Sequence, residues 1–128
     1  MDLARGGSAR GAQARGRKDL VSVDVFEALD LRVGIVTEVH AFPEARKPAW
    51  RLTVDFGPAV GVLSTSAQVT NYDREELLGR VVVGAVNLFP KRVAGFVSEF
   101  LLLGAMELDG RVRLLSLPDD VSVGAAIA

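Results

Sequence analysis

An all-β barrel carrying one short helix is the fold this sequence predicts, on three observations. Apolar residues recur at every second position in several stretches, the spacing of half-buried strands rather than of helices. The elements run as three strands, a short helix and two strands, with extra strand at the C-terminal end. Glycine and proline punctuate the joins, above all at Gly57-Pro58, Gly79, Pro90 and Gly95. Three strands, a helix and two strands is the layout of an OB-fold, a five-stranded Greek-key barrel that binds along one face between its first and fourth loops. An SH3-like barrel and an open sandwich remain as alternatives, because strand count does not separate them.

Taken in order, Asp24 stands three residues before Glu27, with Phe26 and Leu29 on one face. That predicts a single helical turn capped by Asp24. Residues 31–39 alternate Leu31, Val33, Ile35 and Val39 with Arg32, Gly34 and Glu38, a first strand with its apolar set inward. Residues 50–56 alternate again, with Trp50, Leu52, Val54 and Phe56 on one side, and 60–63 make a third strand. Residues 64–70 are polar and are expected to be irregular. Asp73 and Glu76 form a capping box for a helix that Gly79 stops. Two strongly apolar strands follow, 81–88 and 97–106, joined by a loop over 89–95 that exposes Lys91 and Arg92. A turn at Leu108-Asp109-Gly110 leads to a last strand over 111–117 and an apolar tail over 121–128.

With 128 residues and 49% apolar composition, the chain is expected to hold one domain, residues 21–128. Residues 1–20 read as a flexible basic tail rich in Gly, Ala and Arg, which lacks the apolar surface to offset ordering entropy. The net charge of −1 conceals an asymmetry. Five of the fifteen Lys/Arg lie in the first 18 residues beside one acid, leaving ten against fifteen Asp/Glu. A body of that sign is a poor generic binder of nucleic acid, so any polyanion site must be local. The chain has no cysteine, which excludes disulfides, thiolate metal ligands and thiol nucleophiles. No apolar run approaches a membrane span and no signal peptide is legible, so a cytoplasmic protein without membrane insertion is expected. His40 is the one histidine, and no P-loop, dinucleotide fingerprint or nucleophile elbow occurs. No catalytic residue, metal or cofactor is expected.

Several motifs in fixed order resemble the tRNA-binding domain family, whose members are OB-folds. They are Phe26-Glu-Ala-Leu-Asp30-Leu-Arg32-Val-Gly34, Glu75-Glu-Leu-Leu-Gly79-Arg80, and Asn87-x-x-Pro90-Lys91-Arg92-x-x-Gly95-x-x-Ser98-Glu99. Within that family the chain is similar to the CsaA-type secretion-chaperone branch. The marks are Phe42-Pro-Glu-Ala-Arg46, Asp55-Phe-Gly57, Ser64-x-Ser66-Ala-Gln68-Val-Thr70 and Arg92-Val-Ala-Gly-Phe96-x-Ser98-Glu99. The resemblance covers residues 24–128. It implies a homodimer, binding of unfolded or precursor proteins, and a part in protein export, with tRNA as the alternative partner. One departure is visible: Phe100-Leu101 stands where tRNA-binding members carry Gly-Met. A bulky apolar pair there argues against close approach of RNA.

The candidate groove residues for a peptide or tRNA are Arg46, Lys47, Asn87, Lys91, Arg92, Phe96, Ser98 and Glu99. Arg46-Lys47 and Lys91-Arg92 fall on the two loops that flank the OB ligand face. Ser98 and Glu99 interrupt an apolar strand, either as its solvent face or as hydrogen-bonding groups of the groove. Asn87 either caps a turn or reaches a ligand. Phe89, Phe96 and Trp50 offer stacking surfaces, although Trp50 alternates with core residues and packing is its plainer role. Phe26, Val121, Val123 and Ile127 leave apolar surface at both chain ends and are the expected dimer interface.

Overall fold

The computed structural model describes residues 16–128, so most of the expected tail over 1–20 lies outside them. In chain order the elements are α1 (Val23–Glu27), β1 (Leu31–Ala41), β2 (Trp50–Asp55), β3 (Val62–Ala67), α2 (Arg74–Leu77), β4 (Val81–Ala85), β5 (Lys91–Val93), β6 (Phe96–Ser98), β7 (Leu101–Leu102), β8 (Gly104–Met106) and β9 (Val112–Leu114).

β1 is the spine. Its first half pairs antiparallel with β4, from Leu31 opposite Ala85 to Ile35 opposite Val81. Its second half pairs antiparallel with β2, ending with Ala41 opposite Trp50. The register shifts between Val36 and Glu38, and such a bulge bends a strand and sharpens its twist. β3 adds to β2 and β7 to β4, giving the five-stranded order β3-β2-β1-β4-β7. The sheet curls until β3 meets the segment beside β7, where Glu99 N donates to Ser64 O at 2.8 Å. This nearly closed antiparallel barrel, with α2 between its third and fourth main strands, is an OB-fold.

The core comprises Val36, Val39, Leu52, Val54, Phe56, Val69, Leu77, Val82, Phe100 and Leu114. Each contributes roughly 1.5–3 kcal/mol by leaving water. Phe56 and Phe100 meet edge to face, with ring centroids 4.9 Å apart. Gly34 and Gly84 make room for them. A Cβ on Gly34 would stand 2.5 Å from Val54 Cγ1, and one on Gly84 would stand 2.8 Å from both Phe100 and Phe56.

Several expectations are corrected here. The inward set of β1 is Gly34 and Val36, then Val39 beyond the bulge, not Val33 and Ile35. Val33 is nevertheless buried, because the C-terminal tail covers it: Val33 N donates to Ala125 O, Gly124 N to Val33 O and Ile127 N to Leu31 O. The cap of α1 is Ser22, whose Oγ accepts from Asp24 N at 3.2 Å, rather than Asp24. Residues 64–67 are not irregular but continue β3, since Ser and Thr there sit on a paired strand with a solvent face. The apolar stretch 97–106 is broken into β6, β7 and β8, because the chain bends to close the barrel before forming the β8–β9 hairpin. The capping box of α2 is as expected, with Asp73 N donating to Glu76 Oε1 at 2.7 Å.

Candidate binding face

The alternation that buries Leu52 and Val54 turns Arg51 and Thr53 outward, and β3 presents Ser64 and Ser66 opposite them. The hydroxyls of Thr53 and Ser64 lie 3.5 Å apart, and those of Ser66 and Ser98 lie 3.1 Å apart. At one end of this polar strip stands an aromatic pair, Phe42 and Phe96, with centroids 5.6 Å apart in an edge-to-face arrangement. The Arg51 guanidinium lies 5.8 Å from the Phe42 ring and 5.7 Å from the Phe96 ring. Its Nε donates to Ala41 O at 3.3 Å, which leaves its two terminal nitrogens as donors on this face. Phe42 opens the first loop and Phe96 belongs to the hairpin after β4, so one aromatic contact joins the bases of the two ligand-flanking loops.

Lys91 and Arg92 are exposed as expected, but on a strand rather than in a loop. β5 and β6 form a hairpin whose two central residues, Ala94 and Gly95, have φ of 48° and 82°. That is the left-handed pair a type I′ turn demands, and Gly95 meets it without strain while Ala94 does not. Arg92 Nη1 donates to Gly95 O at 3.1 Å across the turn. Arg46 and Lys47 are exposed on the first loop. The two basic pairs therefore flank the aromatic cluster on its two loops.

Ser98 and Glu99 sit where the barrel closes. Ser98 Oγ accepts from Ser66 N at 3.1 Å, and Glu99 Oε1 accepts from Ser64 N at 2.9 Å. Beneath them the buried Thr65 hydroxyl donates to Phe100 O at 2.7 Å. Phe100 itself points inward and is 5% exposed, so the expected bulky surface pair is corrected to Leu101 alone, 53% exposed. The side chain of Phe100 says nothing about access of RNA. Asn87 lies away from this face. Its Oδ1 accepts from Asp30 N at 2.8 Å and its Nδ2 donates to Ala28 O at 2.9 Å, which clamps the join between α1 and β1. Trp50 packs against the core and donates Nε1 to Tyr72 O at 3.1 Å.

Sequence reasoning underrated Phe42 and the Arg51 position between two rings. For Arg51 the signal was present in the odd-numbered positions of β2, which oppose the core set.

A second surface lies at the chain ends. Val23, Phe26, Leu29, Asn87 and Ile127 line an open groove of about 550 Å³. Phe26 is 42% exposed, while Val121 and Ile127 of the tail are half-buried and Val123 is more open. Phe89 projects nearby in sequence from Asn87 and is 98% exposed. Among the described residues no group of three His, Cys, Asp or Glu is placed to hold a metal, and His40 Nε2 is engaged with Glu38 Oε1 at 3.0 Å. Among them, too, no helix is long and apolar enough to cross a membrane.

The curled barrel, its hydroxyl strip and the aromatic–arginine cluster between two basic loops define a binding module of the OB class. Residues 31–126 match the family model described as "Putative tRNA binding domain". The chain belongs to this tRNA-binding domain family. It is 44% identical to the CsaA chaperone protein from Picrophilus torridus, with a TM-score of 0.80 over 85% of this chain and all of that one. It is 31% identical to the MetRS related protein from Pyrococcus horikoshii, with a TM-score of 0.78 over 87% of this chain and all of that one. It is also 35% identical over 111 residues to the methionine–tRNA ligase of Methanococcus maripaludis. Those residues are 87% of this chain but only 16% of the ligase.

Proposed function

We propose that this protein is a non-catalytic chaperone that binds unfolded or precursor polypeptides along the outer face of β2 and β3. The observation that carries this reading is the 44% identity to a chaperone whose whole solved chain the likeness spans. Surface chemistry supports it. Val62, Val97 and Leu101 are 60%, 38% and 53% exposed on the strands beside the closing line of the barrel, and Val97 directly follows Phe96. Apolar side chains of an unfolded segment gain roughly 25 cal/mol per Å² by covering such surface. Phe96 forms the floor, Ser98 and Glu99 its border, and Arg46, Lys47, Lys91 and Arg92 its charged rim.

The working unit is a homodimer joined through the chain-end groove. Phe26, Leu29 and Ile127 supply a self-complementary apolar patch, with Val121 and Val123 on the tail beside them. Light scattering at micromolar concentration gives twice the chain mass on this reading; a monomer overturns the dimer.

Transfer RNA is the second reading, favoured by the family match and by the basic rim. Among the described residues, Arg46, Lys47, Arg51, Lys91 and Arg92 are the cations we assign to this face. At roughly 0.7 per phosphate contact the log–log salt slope is no steeper than about −3.5, so raising salt from about 50 to about 200 mM weakens RNA binding about a hundredfold. Apolar burial is nearly insensitive to that change. An unfolded model protein therefore stays bound at the higher salt while tRNA is lost. Lys91→Ala with Arg92→Ala harms tRNA binding more than polypeptide binding. Retention of tRNA at high salt, with denatured proteins ignored, would promote the RNA reading instead.

A further inference from the structure

Ordinary strand pairing stops along the line where β3 meets residues 98–100. On the edge of β3 that faces away from β2, a single backbone-to-backbone bond crosses among the described residues, Glu99 N to Ser64 O at 2.8 Å. Two donors of that edge are held by side chains. Ser64 N is taken by the Glu99 carboxylate at 2.9 Å and Ser66 N by the Ser98 hydroxyl at 3.1 Å. The β5–β6 hairpin that lies over the edge forms a two-stranded sheet of its own. Side-chain contacts tie it down: Ser98 to Ser66, Phe96 to Phe42, and Arg51 to both rings.

We propose that this edge of β3 is a strand-addition site for an extended polypeptide, with Ser98 and Glu99 occupying its main-chain donors until the polypeptide arrives. The inference deepens the chaperone reading and rests on it. The occupant follows from the chemistry of the edge. Amide donors at Ser64 and Ser66, with the Ser64 carbonyl between them, repeat at a two-residue interval of about 6.8 Å, which an extended peptide backbone matches with its own acceptors and donors. An RNA backbone supplies mainly acceptors and donates only through its ribose 2′-hydroxyls, not through amides spaced as in a strand. The caps themselves are replaceable: Glu99 is exposed and Ser98 half-buried, so the exchange swaps one set of hydrogen bonds for another of similar strength. Phe100 anchors the chain just beyond, 5% exposed in the core, so the hairpin can swing about residue 99 without emptying the barrel. Binding through main-chain groups also serves a chaperone well, because every client sequence carries them.

The test is a lock. The Ser66 and Ser98 hydroxyl oxygens lie 3.1 Å apart, and the chain has no cysteine, so Ser66→Cys with Ser98→Cys allows one intrachain crosslink. The probe is a fluorescently labelled protein kept unfolded by reduction and carboxymethylation. The oxidised variant is expected to bind it at least about tenfold more weakly than the same sample after dithiothreitol, the equivalent of losing one or two main-chain bonds. Glu99→Ala, which empties the edge, is expected to bind more tightly than the parent. Equal binding by the oxidised and reduced forms overturns the strand-addition site and leaves the chaperone reading standing. Weaker binding by Glu99→Ala also overturns it, since Glu99 would then touch the ligand directly. Failure of the parent to bind the probe overturns both. A lock that releases tRNA while the unfolded protein stays bound would assign the edge to RNA and overturn the proposal as well.

Discussion

The two sides of this barrel are held by different chemistry. Around β1 the closure is made of backbone: five residue pairs with β4, then six with β2 across a single bulge. Between β3 and residues 98–100 it is made largely of side chains, through Ser98, Glu99 and Thr65. A backbone ladder is indifferent to side-chain identity and opens only when the sheet does. A side-chain closure is open to change by single substitutions and by competing ligands. Stability is thus concentrated on one side and adjustability on the other, and the aromatic–arginine cluster lies on the adjustable side.

The contrast can be broken most severely at the aromatic contact both sides share. Phe56→Ala is expected to destabilise the fold by about 4 kcal/mol, because a fully buried ring leaves a cavity that the strands cannot collapse. Gly84→Ala should follow at about 2 kcal/mol, from overpacking against Phe100 and Phe56. Urea unfolding measures both. On the closing line itself, Thr65→Val strands the buried Phe100 carbonyl and is expected to lose about 1–2 kcal/mol, whereas Ser98→Ala, with its partner nearer solvent, loses less. Amide exchange sharpens the same difference: the Ser64 and Ser66 amides should exchange faster than those of Leu52 and Val54. Equal protection would show that both sides open together.

Asn87→Ala, away from the closing line, is expected to lose about 1 kcal/mol by freeing Asp30 N and Ala28 O, and to weaken self-association more than polypeptide binding. The smallest effect belongs to Asp109. The Arg111 amide, and to a lesser degree the Arg111 charge, hold its carboxyl below the ordinary 3.8. A lowered folded-state value favours the folded protein above the unfolded-state value, and that contribution disappears as pH falls through the folded one. Asp109→Asn should therefore lower melting slightly at neutral pH, with the difference vanishing once pH falls below the folded-state value, and NMR titration should place the Asp109 midpoint below 3.8.

Much of this was legible in the sequence, for identifiable reasons. The alternation through Trp50–Asp55 and the capping box at Asp73 and Glu76 are local signals, and both elements form where those signals stand. The basic pairs Arg46-Lys47 and Lys91-Arg92 were legible as exposed, although the type I′ turn that turns the second pair into a hairpin strand needs Ala94 in an unfavourable conformation. What stayed hidden depends on distant partners. Val33 is buried by a tail some ninety residues onward, Phe100 is turned inward by Phe56, and Ser98, Glu99 and Asn87 take their partners from segments remote in the chain. A polar residue within an apolar strand reads alike whether it greets a ligand or closes a barrel.

Gly34, Phe56, Gly84 and Phe100 form a lock-and-key unit in which two missing side chains admit two large ones. Its consequence is evolutionary. Either glycine can gain a side chain only in a lineage where a ring has already shrunk, and a ring can shrink only where something else fills the space. Across kindred sequences these four positions should therefore drift as a quartet, with intermediates passing through a poorly folded valley. A chain carrying Gly at position 100 must fill its barrel by another combination. Grafting the binding face of one branch onto the barrel of another should then succeed only when the quartet travels with it.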